Sequence, residues 1–263
     1  MGILKNFVKP YLKIIFPGFC GQRLRLKDHL RLTLKFIDDY SKFKAIENKS
    51  LHLIKFDNIC PRIYESEPST QSGGGEYFQQ DIWTLTKINN NLPEKHYDIG
   101  SRIDGFSAQC SAMVPVEFLD VRYIDYNLPN MTVVEGDLLN LHYEDNSIKS
   151  LSCLHTLEHV GLGRYGDPID VYGMEKGLQE LIRVLSAGGN LYVSFPIGPK
   201  SFIEFNAHRI TNPKEIYEKY MSDLELIEFS VAKDNNLYRS ITFEDFVAMN
   251  VVGIGLFHLR KKM

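Results

Sequence analysis

The chain has 263 residues, 44% hydrophobic and 24% charged, the balance of a soluble globular protein with enough apolar side chain for one sizeable core. Its cysteines, Cys20, Cys60, Cys110 and Cys153, lie far apart with no CxxC pair and no zinc spacing, which argues against a disulfide-stapled scaffold and for reduced thiols in a cytoplasmic protein. The net charge of −3 is unevenly spread: residues 1–55 carry twelve Lys/Arg against four Asp/Glu, a net +8, which leaves −11 on the remainder.

From the N-terminus, Met1 to Pro10 sets lysines among its apolar residues and has no small-residue cleavage site, so it reads poorly as a secretory signal. No apolar run approaches the ~20 residues that a membrane-spanning helix needs. Phe7 to Phe16 mixes bulky apolar residues with lysines, as a short interfacial anchor or a cover over the core would. Leu30, Leu32, Leu34, Ile37 and Phe43 recur at roughly helical spacing and predict a helix over about Lys27 to Ile46. A mixed stretch, Leu51 to Phe56, leads to a loop through Pro61, Pro68 and Ser72-Gly-Gly-Gly75, and the glycine run marks a hinge or close-approach loop at the domain boundary. Residues 1–75 are thus a basic, partly helical extension. It is expected to face an anionic surface, with peripheral membrane contact as one candidate, or the chain's own acidic body.

Residues 76–263 alternate. Glu76 to Asn89 is helical, with Tyr77, Ile82, Leu85 and Ile88 on its apolar positions. Strands follow at His96–Ile99, Val114–Leu119, Met131–Glu135 and Ile148–Leu154. A helix over Met174 to Leu185 closes on Gly188-Gly189, and a fifth strand runs from Asn190 to Phe195. Leu224–Val231 and Val251–Leu259 are two further strands with no helical pattern of matching length between them, which suggests an antiparallel edge pair. The predicted fold is α/β: a Rossmann-like, seven-stranded, mostly parallel sheet with helices on both faces, an antiparallel last strand and the N-terminal helical extension.

In such a sheet, ligands bind beyond the carboxyl ends of the strands. Asp98-Ile-Gly-Ser101 follows the first strand, and its glycine permits a tight turn under a ligand. Asp120, 22 residues after Asp98, follows the second, where an acid accepts hydrogen bonds from both ribose hydroxyls. Asp137 follows the third, where a carboxylate can accept from an adenine amino group. A dinucleotide site needs G-x-G-x-x-G so that backbone amides can approach a pyrophosphate. Here Gly100-Ser-Arg-Ile-Asp-Gly105 places Arg102 at the second glycine, which crowds that path and favours a ligand without phosphates.

Asp98-Ile-Gly100, Phe118-Leu-Asp120, Gly136-Asp-Leu138, Leu154-His-Thr-Leu-Glu-His159 and Glu180 to Gly189 resemble the successive motifs of class I S-adenosylmethionine-dependent methyltransferases. Tyr77 to Asp81, Asp98 to Phe106 and Phe205-Asn-Ala-His-Arg209 are similar to a narrower methyltransferase-like family of uncharacterised function, whose members often occur near bacterial surface-polysaccharide genes. The resemblance spans about residues 76–259. It implies S-adenosylmethionine as cofactor, held by Asp98, Gly100, Ser101, Asp120, Val121, Asp137, Leu138 and His155. It also implies methyl transfer to a hydroxyl of a sugar or surface-polysaccharide precursor. The chain departs from the pattern at Arg102 and at Ala187, which replaces the proline before Gly188-Gly189.

His155, Glu158, His159, His208 and Arg209 are the candidate catalytic groups. On a helix after the fourth strand, His155 would share a face with Glu158 and with His159, and a histidine suits removal of a hydroxyl proton near neutral pH. Arg209, beside His208 in a loop after the fifth strand, could grip a phosphate or carboxylate or pair with an acid. Gly161 to Gly166, with Asp167, form a second loop, read as a substrate lid or as plain turns. No metal site is expected, because the ligand spacing is loose. The predicted partner is a small-molecule or glycan substrate. Nucleic acid is excluded by the acidic body and the lack of a reading motif. Two alternatives stand beside this reading: a NAD-dependent sugar oxidoreductase, and a non-catalytic Rossmann-like module docking a glycan-synthesis partner.

Overall fold

The computed structural model describes residues 75–122, 127–163, 165, 167–204 and 207–263, together with helical positions 31, 34, 35, 37, 38 and 41. The chain separates into two compact units, Met1–Ser69 and Thr70–Met263. In the first, the six described positions fall within the helix expected over 27–46, and Ser41 Oγ donates to the Ile37 carbonyl one turn back (2.8 Å). The stretches at 7–16 and 51–56 and the loop before Gly75 lie outside the described residues.

The second unit opens with helix α1 (Gly75–Asn91) and strand β1 (His96–Ile99). A π-turn over Ile103–Ser107 runs into α2 (Ala108–Ser111), followed by β2 (Val116–Asp120), β3 (Met131–Glu135) and β4 (Ile148–Leu154). Helix α3 (Gly173–Val184), β5 (Leu185–Ile197) and a small hairpin of β6 (Phe202–Glu204) and β7 (His208–Ile210) come next. The chain ends through α4 (Pro213–Ile216), β8 (Leu224–Lys233), β9 (Asn236–Tyr238), α5 (Phe243–Met249) and β10 (Gly253–Lys261). The main sheet has the order β3-β2-β1-β4-β5-β10-β8-β9. β1 to β5 are mutually parallel, and β10 runs antiparallel between β5 and β8. The predicted antiparallel last strand is therefore present, and a three-residue strand, β9, adds an eighth at the edge.

The two-residue period of the strands sorts their side chains into two cores. Leu191, Val193 and Phe195 of β5, with Phe257 and Leu259 of β10, pack with Leu178, Leu181 and Val184 of α3. Tyr192, with Ile254 and Leu256, points the other way and packs with Trp83, Leu85 and Ile88 of α1. Trp83 and Ile88 are fully buried, each contributing about 1.5–3 kcal/mol relative to exposure. Trp83 Nε1 also donates to Glu228 Oε1 of β8 (2.9 Å), and Lys87 pairs with the same carboxylate, which pins α1 across the sheet. Each helix thus covers one face.

Three local expectations change. Gly188-Gly189 does not cap the helix: α3 stops at Val184 and the pair lies inside β5. There Ile148 pairs with Leu185 but Ser150 with Asn190, so β5 bulges between them, and Gly188 takes φ +73 in the bulge. The β6–β7 hairpin and α5 were not legible as elements. Their strands are three residues each, and α5 is seven residues held by a capping box between Thr242 and Asp245.

Candidate functional site

A cavity of about 730 Å³ opens at the carboxyl ends of β1, β2, β4 and β5, where the strand order reverses direction around β1 and β4. Among its walls are Gly100 and Ser101 after β1, Asp120 and Arg122 after β2, His155 after β4, and Tyr77 of α1.

The first loop is built from below. Asp98 has no exposed surface, and its carboxylate accepts from Ser101 Oγ (2.6 Å), Ser152 Oγ (2.6 Å) and Ser107 Oγ. Burial pushes this carboxyl up to about 6, against the pull of the three hydroxyls. Asp98 thus lies beneath the cavity and organises its floor; it does not line it. Ser101 Oγ also accepts from the Leu154 N–H (3.0 Å), which ties the loop to β4. Gly100 sits at φ +69, and a Cβ there would come 2.7 Å from Thr156 Cγ2, so both backbone and space require glycine. Arg102 pairs with Asp104 (2.9 Å) and lies over the Tyr77 ring (5.8 Å).

Asp120 is 5% exposed and lines the cavity, but its carboxylate is engaged from within. Oδ1 accepts from the backbone N–H (2.9 Å) and Nε (3.0 Å) of Arg122, and Oδ2 accepts from Nη2 (3.1 Å). Asp137 stands at the neighbouring strand end, where the Gly136 N–H donates to the Asp120 carbonyl (3.0 Å). Its side chain caps its own turn by accepting from the Leu139 N–H (2.8 Å) and does not line the cavity. Leu138 is buried in the α3-side core, and Val121 is exposed outside the cavity lining.

His155 follows β4 at φ +55, a conformation uncommon for a side chain with a Cβ. The expected helix after β4 is only a 3₁₀ turn, Leu157–His159, yet it brings the predicted pair together. His155 Nδ1 lies 2.6 Å from Glu158 Oε1, and His155 Nε2 and Glu158 Oε2 are both buried without a partner. The Tyr77 ring packs over His155 (centroids 4.5 Å apart). His159 Nδ1 donates to the Ala207 carbonyl (2.7 Å), its Nε2 lies 3.6 Å from Glu158 Oε1, and its ring is 6.4 Å from that of His208. His208 Nε2 faces Glu204 Oε2 of the same hairpin (3.4 Å).

Arg209 departs from the anion-gripping expectation. It is 7% exposed, and its guanidinium donates to the carbonyls of Val160 (2.6 Å), Asp170 (3.1 Å), Glu158 (3.4 Å) and Val171 (3.5 Å). It therefore ties the β4–α3 loop to β7 and does not line the cavity. Asp167 acts on the same loop. Burial works against its charge, but N–H donors from Tyr165, Gly161 and Gly163 outweigh it and hold the carboxyl below its ordinary range. Arg122, Tyr165 and Lys233 line the cavity without having been singled out in the sequence. For Arg122 a signal existed: a basic residue two places after a strand-end acid can fold back onto it. Among the described residues, no group of three or more His, Cys, Asp or Glu side chains is placed to hold a metal.

Two solved structures share this architecture. The [4+2]-cyclase SpnF superposes with a TM-score of 0.53 at 13% identity, over 73% of this chain and 85% of that one. A protein of Galdieria sulphuraria, provisionally named a sarcosine dimethylglycine methyltransferase, superposes with a TM-score of 0.50 at 15% identity, over 85% of this chain and 98% of that one. This is the Rossmann-like methyltransferase fold. At these identities the likeness is one of fold. A family model described as "Caenorhabditis protein of unknown function, DUF268" matches residues 131–216, from β3 to the end of α4. No curated protein matches the chain. In this methyltransferase fold the cavity occupies the cleft at the reversal of strand order, and no helix among the described residues is long and apolar enough to cross a membrane.

Proposed function

We propose that the chain is an S-adenosylmethionine-dependent methyltransferase that methylates a hydroxyl of a sugar or surface-polysaccharide precursor. Fold alone does not carry this, since one of the similar structures is a cyclase. The observation that does is Asp120, a nearly buried carboxylate at the end of β2 and in the wall of a ligand-sized cavity. It stands beside a glycine turn that lacks the second glycine a pyrophosphate needs.

The residues present fit the cofactor. Asp120 would accept from a ribose diol, the Gly100–Ser101 turn would hold the amino-acid portion, and His155 would border the site. Bound there, S-adenosylmethionine supplies an electrophilic sulfonium methyl. With its Nδ1–H donated to Glu158, His155 keeps the Nε2 lone pair and takes the proton of the acceptor hydroxyl as that oxygen becomes nucleophilic. Glu158 fixes the tautomer and offsets the charge that the imidazole gains. Nε2 is buried and the Tyr77 ring packs against the imidazole, so the acceptor reaches the base only as its surroundings open. The sugar acceptor rests on the resemblance and on the polar groups of His159 and His208 at that end.

A second reading, a non-catalytic module docking a partner, draws on one observation: Arg122 already closes Asp120. The discriminating assay incubates the protein with methyl-deuterated S-adenosylmethionine and a panel of nucleotide sugars. A product carrying one labelled methyl is expected, and in His155→Gln turnover at saturating S-adenosylmethionine should fall about 10²–10⁴-fold, well beyond any change in S-adenosylhomocysteine affinity. Saturable NAD binding with no methyl transfer would overturn the proposal in favour of an oxidoreductase, and binding of neither would leave the docking module.

A further inference from the structure

A carboxylate offers about four acceptor sites on its two oxygens. In Asp120 three are filled by Arg122: the backbone N–H and Nε on Oδ1, and Nη2 on Oδ2. One site remains, whereas a ribose diol brings two donors. The diol and both guanidinium contacts cannot coexist. The backbone N–H belongs to the strand end and can stay, so at least one guanidinium contact must break, and a planar fork that loses one contact gives up its bidentate seat on Asp120.

That side chain can move. It is 63% exposed, and its guanidinium already lies 5.4 Å from the ring centre of Tyr165. Tyr165 in turn packs edge-on to His159 (5.6 Å), whose ring neighbours that of His208. All four residues line the cavity that holds Asp120, so Arg122 links the ribose end to the imidazole end. At the imidazole end Glu158 Oε1 pairs with His155 and its Oε2 is buried, while Glu204 pairs with His208. A guanidinium keeps its charge when it leaves a carboxylate, and its planar fork suits a bidentate anion.

We propose that Arg122 is a two-position specificity residue: it caps Asp120 until a ribose diol displaces it, and then grips an anionic group of the acceptor, a phosphate or a carboxylate. This rests on the adenosine reading of the cavity. It makes cofactor and acceptor anion mutually reinforcing, because each draws Arg122 off Asp120 or profits from its departure.

The test is calorimetric titration of the full chain with S-adenosylhomocysteine and, separately, with methylthioadenosine, which has the diol but no amino-acid carboxylate. Each is run with and without inorganic phosphate at matched ionic strength. Without phosphate, Arg122→Ala should bind S-adenosylhomocysteine about two- to five-fold more tightly than wild type, since what the ligand no longer has to displace is an ion pair whose cation is already solvent-screened. Phosphate should tighten binding of both nucleosides to wild type by a similar factor and leave Arg122→Ala unchanged. Equal affinity of the two proteins, or an equal phosphate effect on both, overturns the proposal. A phosphate effect on wild type with methylthioadenosine alone assigns the guanidinium to the cofactor's own carboxylate and overturns the acceptor assignment. If neither protein binds either nucleoside, the adenosine reading fails, and this inference with it.

Discussion

Asp98 shows how a residue can be placed by its sequence position yet take its role from its neighbours. It was read as a ligand contact at a strand end, but alternation turns its side chain inward, onto the sheet face that also carries His96, Ser150 and Ser152. Burial raises its carboxyl to about 6, whereas an aspartate in the unfolded chain titrates near 4. Between these values the folded chain binds more protons than the unfolded one. The group's contribution to stability is therefore fully present below about pH 4 and is lost as pH rises through about 6, a change of ~3 kcal/mol. His96, held by burial down to about 3, stays neutral in the folded chain while the unfolded imidazole gains a proton below about 6.5, so its contribution runs the opposite way across this window; it is common to wild type and variant and cancels in their difference. Urea unfolding of wild type and Asp98→Asn at pH 4 and pH 7 isolates the effect. The stability difference should move in favour of the variant by ~2–3 kcal/mol at the higher pH. A difference independent of pH would mean that the serine hydroxyls fully compensate the buried charge.

At the scale of elements, the β4–α3 loop is held as a clamp. Gly161 takes φ +79, and a Cβ there would lie 2.1 Å from the Asp170 carbonyl oxygen, so the close approach of the loop's two ends requires glycine. Arg209 reaches across from β7 and gathers four carbonyls of the segment 158–171. Removing it takes a charged donor from the buried Glu158 carbonyl and the part-buried Val160 carbonyl and cuts the tie to Asp170 and Val171. Arg209→Ala should therefore lose ~2–4 kcal/mol of stability in thermal or denaturant unfolding, and Arg209→Lys should recover little, since a point charge cannot reproduce the fork. Affinity for S-adenosylhomocysteine should stay within about two-fold of wild type. Normal stability with lost anion binding would return Arg209 to the role first expected of it.

The five parallel strands, α1 and α3 were legible in the sequence, the helices from the spacing of their apolar residues and β1, β2 and β3 from the glycine or acid at their ends. The bulge in β5 was not, because Gly188-Gly189 has the same chemistry in a helix cap as in a bulge, and only its pairing with β4 distinguishes them. The β6–β7 hairpin is too short to show a period. Of the site, the strand-end positions Gly100, Ser101, Asp120 and His155 were legible, as was the His155–Glu158 pair. The cover of Tyr77 over His155 and the fold-back of Arg122 onto Asp120 were not, because both depend on side-chain directions that exist only once the sheet has formed.

At the scale of the whole molecule, a sheet with two cores brings one cavity to its carboxyl edge, and an acid, a glycine turn and an imidazole–carboxylate pair converge there. The basic segment 1–55 and the acidic remainder give the chain a charge asymmetry. Whether one adenosine lies across the ends of β1 and β2 turns on Asp120. Calorimetric titration of S-adenosylhomocysteine into wild type and Asp120→Ala is the direct measurement. Wild type should bind. The variant should lose roughly 100-fold or more in affinity, as expected for two hydrogen bonds to a charged group. Undiminished affinity in Asp120→Ala would contradict the assignment of the cavity.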